Sequence, residues 1–106
     1  MIKKVAIASS NGTDTDLHVG HAHTLSIYNY NGEFIEERHV EIEEDAKHQW
    51  TKVLKVIDDC EAIIAVQSGL KSKAGFTQAG KKIVIDKGTV KEVLERYLKH
   101  IEFMEN

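Results

Sequence analysis

The sequence predicts an α/β fold with a five-stranded mixed sheet and about three helices. Three observations predict it: an apolar run near the N-terminus, a hairpin signal between two alternating runs, and two later apolar runs that each follow a segment of helical periodicity. Hairpin strands beside β-α-β units are typical of a sheet that mixes antiparallel and parallel pairs. The predicted strands are residues 3–9, 24–30, 33–41, 60–66 and 82–86.

Turn signals separate the first three strands. KVAIASS is a short apolar run that ends before Asn11-Gly12, as expected of a central strand. The next two runs alternate apolar and polar residues and flank Asn31-Gly32. Asparagine and glycine both tolerate the positive φ that a type I′ turn needs, so this dipeptide predicts a hairpin.

The second half of the chain alternates helices with apolar runs. Apolar residues at steps of three and four between Ala46 and Ile57 predict a first helix. CEAIIAV follows it and is typical of a strand buried on both faces. A weaker helix is predicted at about 70–79, and the capping box from Thr89 to Glu92 predicts the start of a long last helix.

The order of the strands predicts where a site lies. In the order 3-2-1-4-5, the connections after strands one and four leave the same edge in opposite directions, which is where α/β sheets bind ligands. The segment 9–23 leaves strand one there, and the segment 67–73 leaves strand four beside it. No linker, repeat or low-complexity segment divides the chain, so we expect residues 1–106 to form one domain.

Composition and charge argue against several classes of protein. The net charge is -3, and lysine and glutamate alternate along the chain, so no basic surface that would bind nucleic acid is expected. No apolar run is long enough for a membrane span or a signal peptide, so we expect a cytoplasmic protein without membrane contact. The single cysteine, Cys60, excludes an internal disulfide and a four-thiolate metal site.

Three of the six histidines lie in the stretch TDLHVGHAHTL. Neutral imidazole is a good ligand for iron, zinc, copper and nickel, and an exposed loop gives a bulky inorganic cluster room to approach. We therefore predict metal ligands at His18 and His21. The wider predicted cofactor-binding set is His18, Gly20, His21, His23 and Ser68.

Three further expectations concern the surroundings of these residues. Leu17 and Val19 are the apolar candidates to hold the loop, so we expect it to be poorly ordered without a ligand. Cys60 starts strand four at the opposite edge and is expected to be a buried structural thiol. His48 lies on the first helix away from the core-facing Trp50 and is expected to be exposed. Whether Cys60 or His48 assists the site stays open.

An enzymatic alternative comes from the same histidines. His18-x-Gly20-His21 resembles the His-x-Gly-His signature of class I aminoacyl-tRNA synthetases and related nucleotidylyl transferases, in which the signature opens a helix against the ATP phosphates. A helix after His23 would favour such a nucleotide-binding enzyme, and a strand would favour a binding protein. A two-metal nuclease is not supported, because the first strand carries no carboxylate.

A second resemblance covers almost the whole chain. VAIASSNG, DLHVGHAHTLSIYNYNG and DDCEAIIAV followed by a glycine loop, with His48 and Trp50 between them, are similar to the dinitrogenase iron-molybdenum cofactor biosynthesis family, whose members are nitrogenase accessory factor-like. The resemblance implies a ribonuclease H-like motif. It also implies non-catalytic binding or carriage of an iron-sulfur-based cluster, namely the iron-molybdenum cofactor or a precursor.

The resemblance assigns cluster binding first to His18, the histidine before x-Gly in the family's motif. Val19 stands where the family usually has Phe, and Gln67-Ser-Gly-Leu70 replaces a more glycine-rich loop. Lys71 or Lys73 would contact anionic groups of the cargo. The expected partners are the cluster and proteins that donate and accept it. The alternatives that stay open are a small nucleotide-binding enzyme and a simple transition-metal-binding protein.

Overall fold

Five strands form the main sheet of the computed structural model, which describes residues 2–43 and 49–105. The elements in chain order are β1 (Lys4–Ala8), β2 (Asp14–Thr15), a 3₁₀ turn (Val19–His21), β3 (Thr24–Asn29), β4 (Phe34–His39), α1 (Trp50–Val56), β5 (Ala62–Ala65), α2 (Leu70–Gln78), β6 (Lys82–Ile85), β7 (Gly88–Thr89) and α3 (Val90–Glu105). Within the described ranges no helix is both long and apolar enough to cross a membrane.

The order across the main sheet is β4-β3-β1-β5-β6. β1 pairs antiparallel with β3 and parallel with β5, and β6 continues the parallel half. The predicted class, the mixed five-stranded sheet and the flanking helices are confirmed, and the topology is that of a ribonuclease H-like motif. The strand numbering shifts because β2 and β7 form a small second sheet that the sequence did not predict.

Most strands are shorter than predicted by one to three residues, and β5 spans Ala62–Ala65 rather than 60–66. The third predicted strand ends at His39 rather than at residue 41. The described part of the first helix begins at Trp50, and the predicted start near Ala46 lies outside the described residues. The capping box is confirmed, because Thr89 Oγ1 accepts from Glu92 N–H and Glu92 Oε1 accepts from Thr89 N–H.

The hairpin between β3 and β4 forms, but its turn is shifted by one residue. The turn hydrogen bond runs from Gly32 N–H to Asn29 O at 3.1 Å, so Tyr30 and Asn31 are the central residues rather than Asn31 and Gly32. Asn29 Oδ1 also accepts from the backbone N–H of Asn31 and Glu33, each at 2.9 Å. This side chain satisfies the turn locally, and Gly32 takes the positive φ of 85° that closes it.

Two cores lie on the two faces of the sheet. Because successive side chains of a strand point to opposite faces, Ala6 and Ala8 of β1 pack with α1 and α2, while Val5 and Ile7 pack with α3. β5 is buried on both faces in the same way, as CEAIIAV predicted. The central pair β1 and β5 therefore holds both layers of helices.

Trp50 of α1 packs closely against Gly75 of α2. A Cβ atom on Gly75 would lie 2.2 Å from Trp50 Cζ3, so only glycine leaves room for the indole ring. The ring also packs against Phe76, with centroids 6.3 Å apart. Trp50 thus anchors the helical layer beside the histidine loop, the segment 9–23 that carries His18, His21 and His23.

We expect Gly75→Ala to destabilise the protein by about 1–3 kcal/mol, because the added methyl overlaps the indole ring. Urea unfolding followed by circular dichroism measures the change. In a Trp50→Leu background the same substitution should become neutral or stabilising, since alanine favours a helix over glycine by about 1 kcal/mol. A Gly75→Ala protein as stable as wild type with Trp50 present would contradict the packing.

Candidate functional site

The histidine loop and the segment after β5 meet at one edge of the sheet. Leu17 O accepts from Val66 N–H at 3.1 Å, and Gln67 O accepts from Val19 N–H at 2.9 Å. A parallel bridge joins His18 to Gln67 between these two bonds. Past the β1–β5 ladder, the segment after β5 therefore pairs in parallel with residues 17–19 instead of β1. The two segments are adjacent, as the strand order predicted.

The loop is held by more contacts than its sequence suggests. Val19 and Ala22 are completely buried. Asn11 Oδ1 accepts from the N–H groups of Thr13 and Asp14 at 2.8 and 2.9 Å. Asp16 accepts from Ser10 N–H at 2.8 Å, and β2 pairs with β7. The premise that little holds this segment is wrong, because small and polar residues supply the contacts that were expected only from Leu17 and Val19.

His18 is half-buried and its ring is oriented by the backbone. Its Nδ1 accepts a hydrogen bond of 2.9 Å from Gly20 N–H, which caps the 3₁₀ turn Val19–His21. His21 is exposed, and its ring lies edge-on to that of His18 with centroids 5.5 Å apart. The two residues predicted as metal ligands are therefore neighbours in space.

Burial lowers the pKa of the His18 imidazole from its ordinary value of about 6.5, and the charge of nearby His21 lowers it further. The neutral form, which is the form that binds metal, is thereby favoured. The lowered pKa suits a ligand role, although burial of any histidine ring acts in the same direction.

The other predicted residues lie close by but do not join the ring pair. His23 is exposed at the start of β3, with Nδ1 2.9 Å from Thr24 Oγ1. Ser68 is half-buried and donates to Gly69 O at 3.2 Å. Lys71 and Lys73 are exposed in the first turns of α2. Gly20 donates its N–H to His18, and a Cβ atom on Gly20 would lie 3.4 Å from His18 Nδ1, so little empty space remains between the two residues.

The described residues, 2–43 and 49–105, contain no group of three or more His, Cys, Asp and Glu side chains that could hold a metal ion. His18 and His21 alone would leave most coordination positions of a metal to other ligands. Such a partial set does not match a closed structural site, which uses four protein ligands for zinc. It can hold a cargo that brings most of its own ligands.

Cys60 lies at the opposite edge, as predicted, and is only 1% exposed. Burial, together with the charge of Asp59, raises the pKa of its thiol to about 11. Arg38 Nη1 donates to Asp59 at 2.6 Å and to Val56 O at 2.9 Å. The Arg38 side chain thereby covers the start of β5 next to Cys60. Cys60 therefore belongs to the core. His48, the other residue whose part in the site was left undecided, lies outside the described part of the chain.

Sequence reasoning missed Gln67 and the N–H of Gly20. The sequence placed Gln67 in the segment beside the histidine loop, but its backbone contact with Val19 was not predicted. Gly20 was predicted as a member of the cofactor-binding set without a defined role. The His-x-Gly spacing is the one local signal that could have indicated an N-cap interaction, because a cap accepts from the second residue after it.

Comparison with known proteins confirms the resemblance found in the sequence. A family model described as dinitrogenase iron-molybdenum cofactor matches residues 1–100. No curated protein sequence matches this chain. The crystal structure of PH0822 superposes with a TM-score of 0.72 at 16% identity, over 92% of this chain and 89% of that one.

A second crystal structure, from Methanocaldococcus jannaschii and provisionally described as a dinitrogenase, has a TM-score of 0.63 at 14% identity, over 94% of this chain and 91% of that one. At these identities the two structures show a shared fold and nothing about shared ligands.

If His18 binds a metal, we expect its protonation to compete with that binding at a lower pH than protonation of an ordinary histidine does, which is near pH 6.5. The pKa of His18 is lowered, so protons compete with metal only at more acidic pH. Titrations with Zn²⁺ at a series of pH values between about 5 and 8 measure this, with a His-containing unstructured peptide as the reference. A midpoint above that of the peptide would contradict the prediction.

We expect Cys60 to resist thiol reagents in the native protein, because its sulfur is buried and the raised pKa of about 11 leaves almost no thiolate near pH 8. Reaction with Ellman's reagent should be slow in buffer and fast in denaturing urea. Equal rates in the two solutions would show an accessible thiol and return Cys60 to the candidate ligands.

Proposed function

Because the chain belongs to the dinitrogenase iron-molybdenum cofactor family, we propose that it binds and carries an iron-sulfur-based metal cluster without catalysing a reaction on it. The proposed cargo is the iron-molybdenum cofactor or a precursor of that kind. The proposed ligands are His18 and His21, with His23, Gly20 and Ser68 around the bound cluster.

The observation that carries this proposal is the pairing of two imidazoles at the ligand-binding edge of the sheet. His18 and His21 lie with ring centroids 5.5 Å apart on a loop that hydrogen bonds to Gln67. His21 is exposed and His18 is half-buried, so a large ligand can approach from solvent. Soft and borderline metals such as iron accept imidazole nitrogen readily.

A partial ligand set supports carriage rather than permanent storage. A carrier must release its cargo, so few protein ligands are an advantage, and the cluster keeps its own sulfides for the remaining bonds. Lys71 and Lys73 on α2 would contact anionic groups of such a cargo. The proposal includes proteins that donate and accept the cluster. It also includes a cytoplasmic location, where the single Cys60 stays reduced.

Two alternatives differ in how well they agree with the structure. The His-x-Gly-His enzyme signature needs a helix after the second histidine, and here β3 begins at Thr24, directly after His23. That observation disfavours a nucleotide-binding enzyme of this type. A simple transition-metal-binding protein is the stronger alternative, because two imidazoles with open positions beside them would also accept a single ion.

Anaerobic titration of the apoprotein distinguishes these functions. We expect a synthetic iron-sulfur cluster with exchangeable ligands to bind, detected by its absorption and paramagnetic spectra, and more tightly than Zn²⁺ or Co²⁺ alone. His18→Asn should weaken cluster binding at least about tenfold, the loss of about 1.4 kcal/mol. Asparagine keeps an oxygen that can accept from Gly20 N–H, so the loop conformation is retained.

His100→Ala is the matched control, since His100 is exposed on α3, which packs on the face opposite α1 and α2. It should bind like wild type. Tighter binding of the free ion than of the cluster would support the simple metal-binding alternative. Equal cluster binding by wild type and His18→Asn would remove the histidine loop from the site.

A further inference from the structure

The hydrogen bond from Gly20 N–H to His18 uses the ring nitrogen nearer to the backbone, at 2.9 Å. To accept this proton, Nδ1 must carry its lone pair, so the single ring proton of neutral His18 is on Nε2. One nitrogen is then occupied by Gly20 and the other by hydrogen. In this conformation the neutral ring has no free lone pair for a metal.

We infer that the Gly20 N–H group is a latch that keeps His18 from coordinating its cargo until the hydrogen bond opens. The inference rests on the proposed function, in which His18 is a ligand, and it adds a conformational step to loading. It also gives Gly20 a defined part: its N–H fixes the tautomer and direction of the ring.

Both possible coordination modes require the latch to open. If the metal binds Nδ1, it takes the position of the Gly20 proton, and Nε2 keeps its hydrogen. If the metal binds Nε2, the ring proton moves through solvent to Nδ1, which then faces an N–H group and can no longer accept from it. The neutral ring keeps one proton in each case, and the Gly20 bond is lost in each case.

The surroundings allow the ring to move while the loop stays in place. The backbone of the loop is held by Val19 N–H to Gln67 O and by the burial of Val19 and Ala22. The His18 side chain has a partner in Gly20 and an edge contact with the exposed ring of His21. Rotation of one side chain therefore opens the latch, and Gly20, a half-exposed residue, can then donate its N–H to water.

The tautomer is measured directly by long-range ¹H–¹⁵N NMR of the histidine rings in the apo protein. We expect His18 to show an unprotonated Nδ1 and a protonated Nε2. On addition of Zn²⁺, the Gly20 amide proton should shift and its exchange with solvent should accelerate. A protonated Nδ1 in the apo protein, or a Gly20 amide unchanged when Zn²⁺ occupies His18, would overturn the latch.

Gly20→Pro and Gly20→Ala provide a matched pair of variants, because both lose glycine but only proline loses the N–H donor. An added Cβ at Gly20 lies 3.4 Å from His18 Nδ1, which the ring can accommodate. We expect Gly20→Pro to bind Zn²⁺ about two- to tenfold more tightly than Gly20→Ala, the equivalent of one ordinary hydrogen bond. Equal affinities of two folded variants would overturn the latch.

If Gly20→Pro does not fold, the wild-type NMR measurement still decides. The proposed function fails separately: it fails if wild type binds neither Zn²⁺ nor the cluster, or if His18→Asn binds as tightly as wild type. The latch fails while the function survives if His18 binds Zn²⁺ with Gly20 undisturbed.

Discussion

The parallel pairing of β1 with β5 is the constraint on which the rest of the structure depends. Its register sets Val5 against Ala62 and Ile7 against Ile64, and both strands are buried on two faces. A one-residue slip would exchange every side chain between the two cores, so the register is strongly fixed. Beyond this ladder the chain after β5 pairs in parallel with the histidine loop instead of β1, which brings His18 beside Gln67.

The two ends of this strand pair serve different purposes. At one end, Arg38 bridges Asp59 and Val56 O, and Lys4 also bonds to Asp59 at 2.8 Å. These charged groups lower the pKa of the Asp59 carboxyl and enclose Cys60. At the other end, the chain leaves the sheet in open loops with exposed imidazole and lysine groups. Exposed imidazole and lysine groups therefore lie at the end with the histidine loop, and the charged groups around Asp59 cover the other end.

The sequence predicted the parts of the fold that have a local signal, and missed those that depend on tertiary register. The helical periodicity, the Thr89–Glu92 capping box and the continuously apolar β5 can each be recognised within a short stretch of sequence. β2 and β7 are only two residues long each and lie far apart in sequence. Such short strands have no periodic pattern that could predict their pairing. The hairpin turn lies one residue earlier than predicted because the Asn29 side chain accepts hydrogen bonds from the turn backbone. The histidine loop has more contacts than predicted because the Asn11 and Asp16 side chains accept from its backbone N–H groups.

The candidate site was predicted as a location and a set of rings, but not as a set of hydrogen bonds. Gly20 was predicted only as a member of the cofactor-binding set, whereas the structure shows its N–H donating to Nδ1 of His18. This difference matters for carriage, because a ligand that is oriented but occupied binds more weakly than one that is oriented and free. In the proposed carriage, a backbone held by Val19 N–H and one side chain that can rotate would let a cluster enter and leave without unfolding the loop. The weak, reversible holding that a carrier needs can therefore come from a single hydrogen bond that competes with the metal for the same ring.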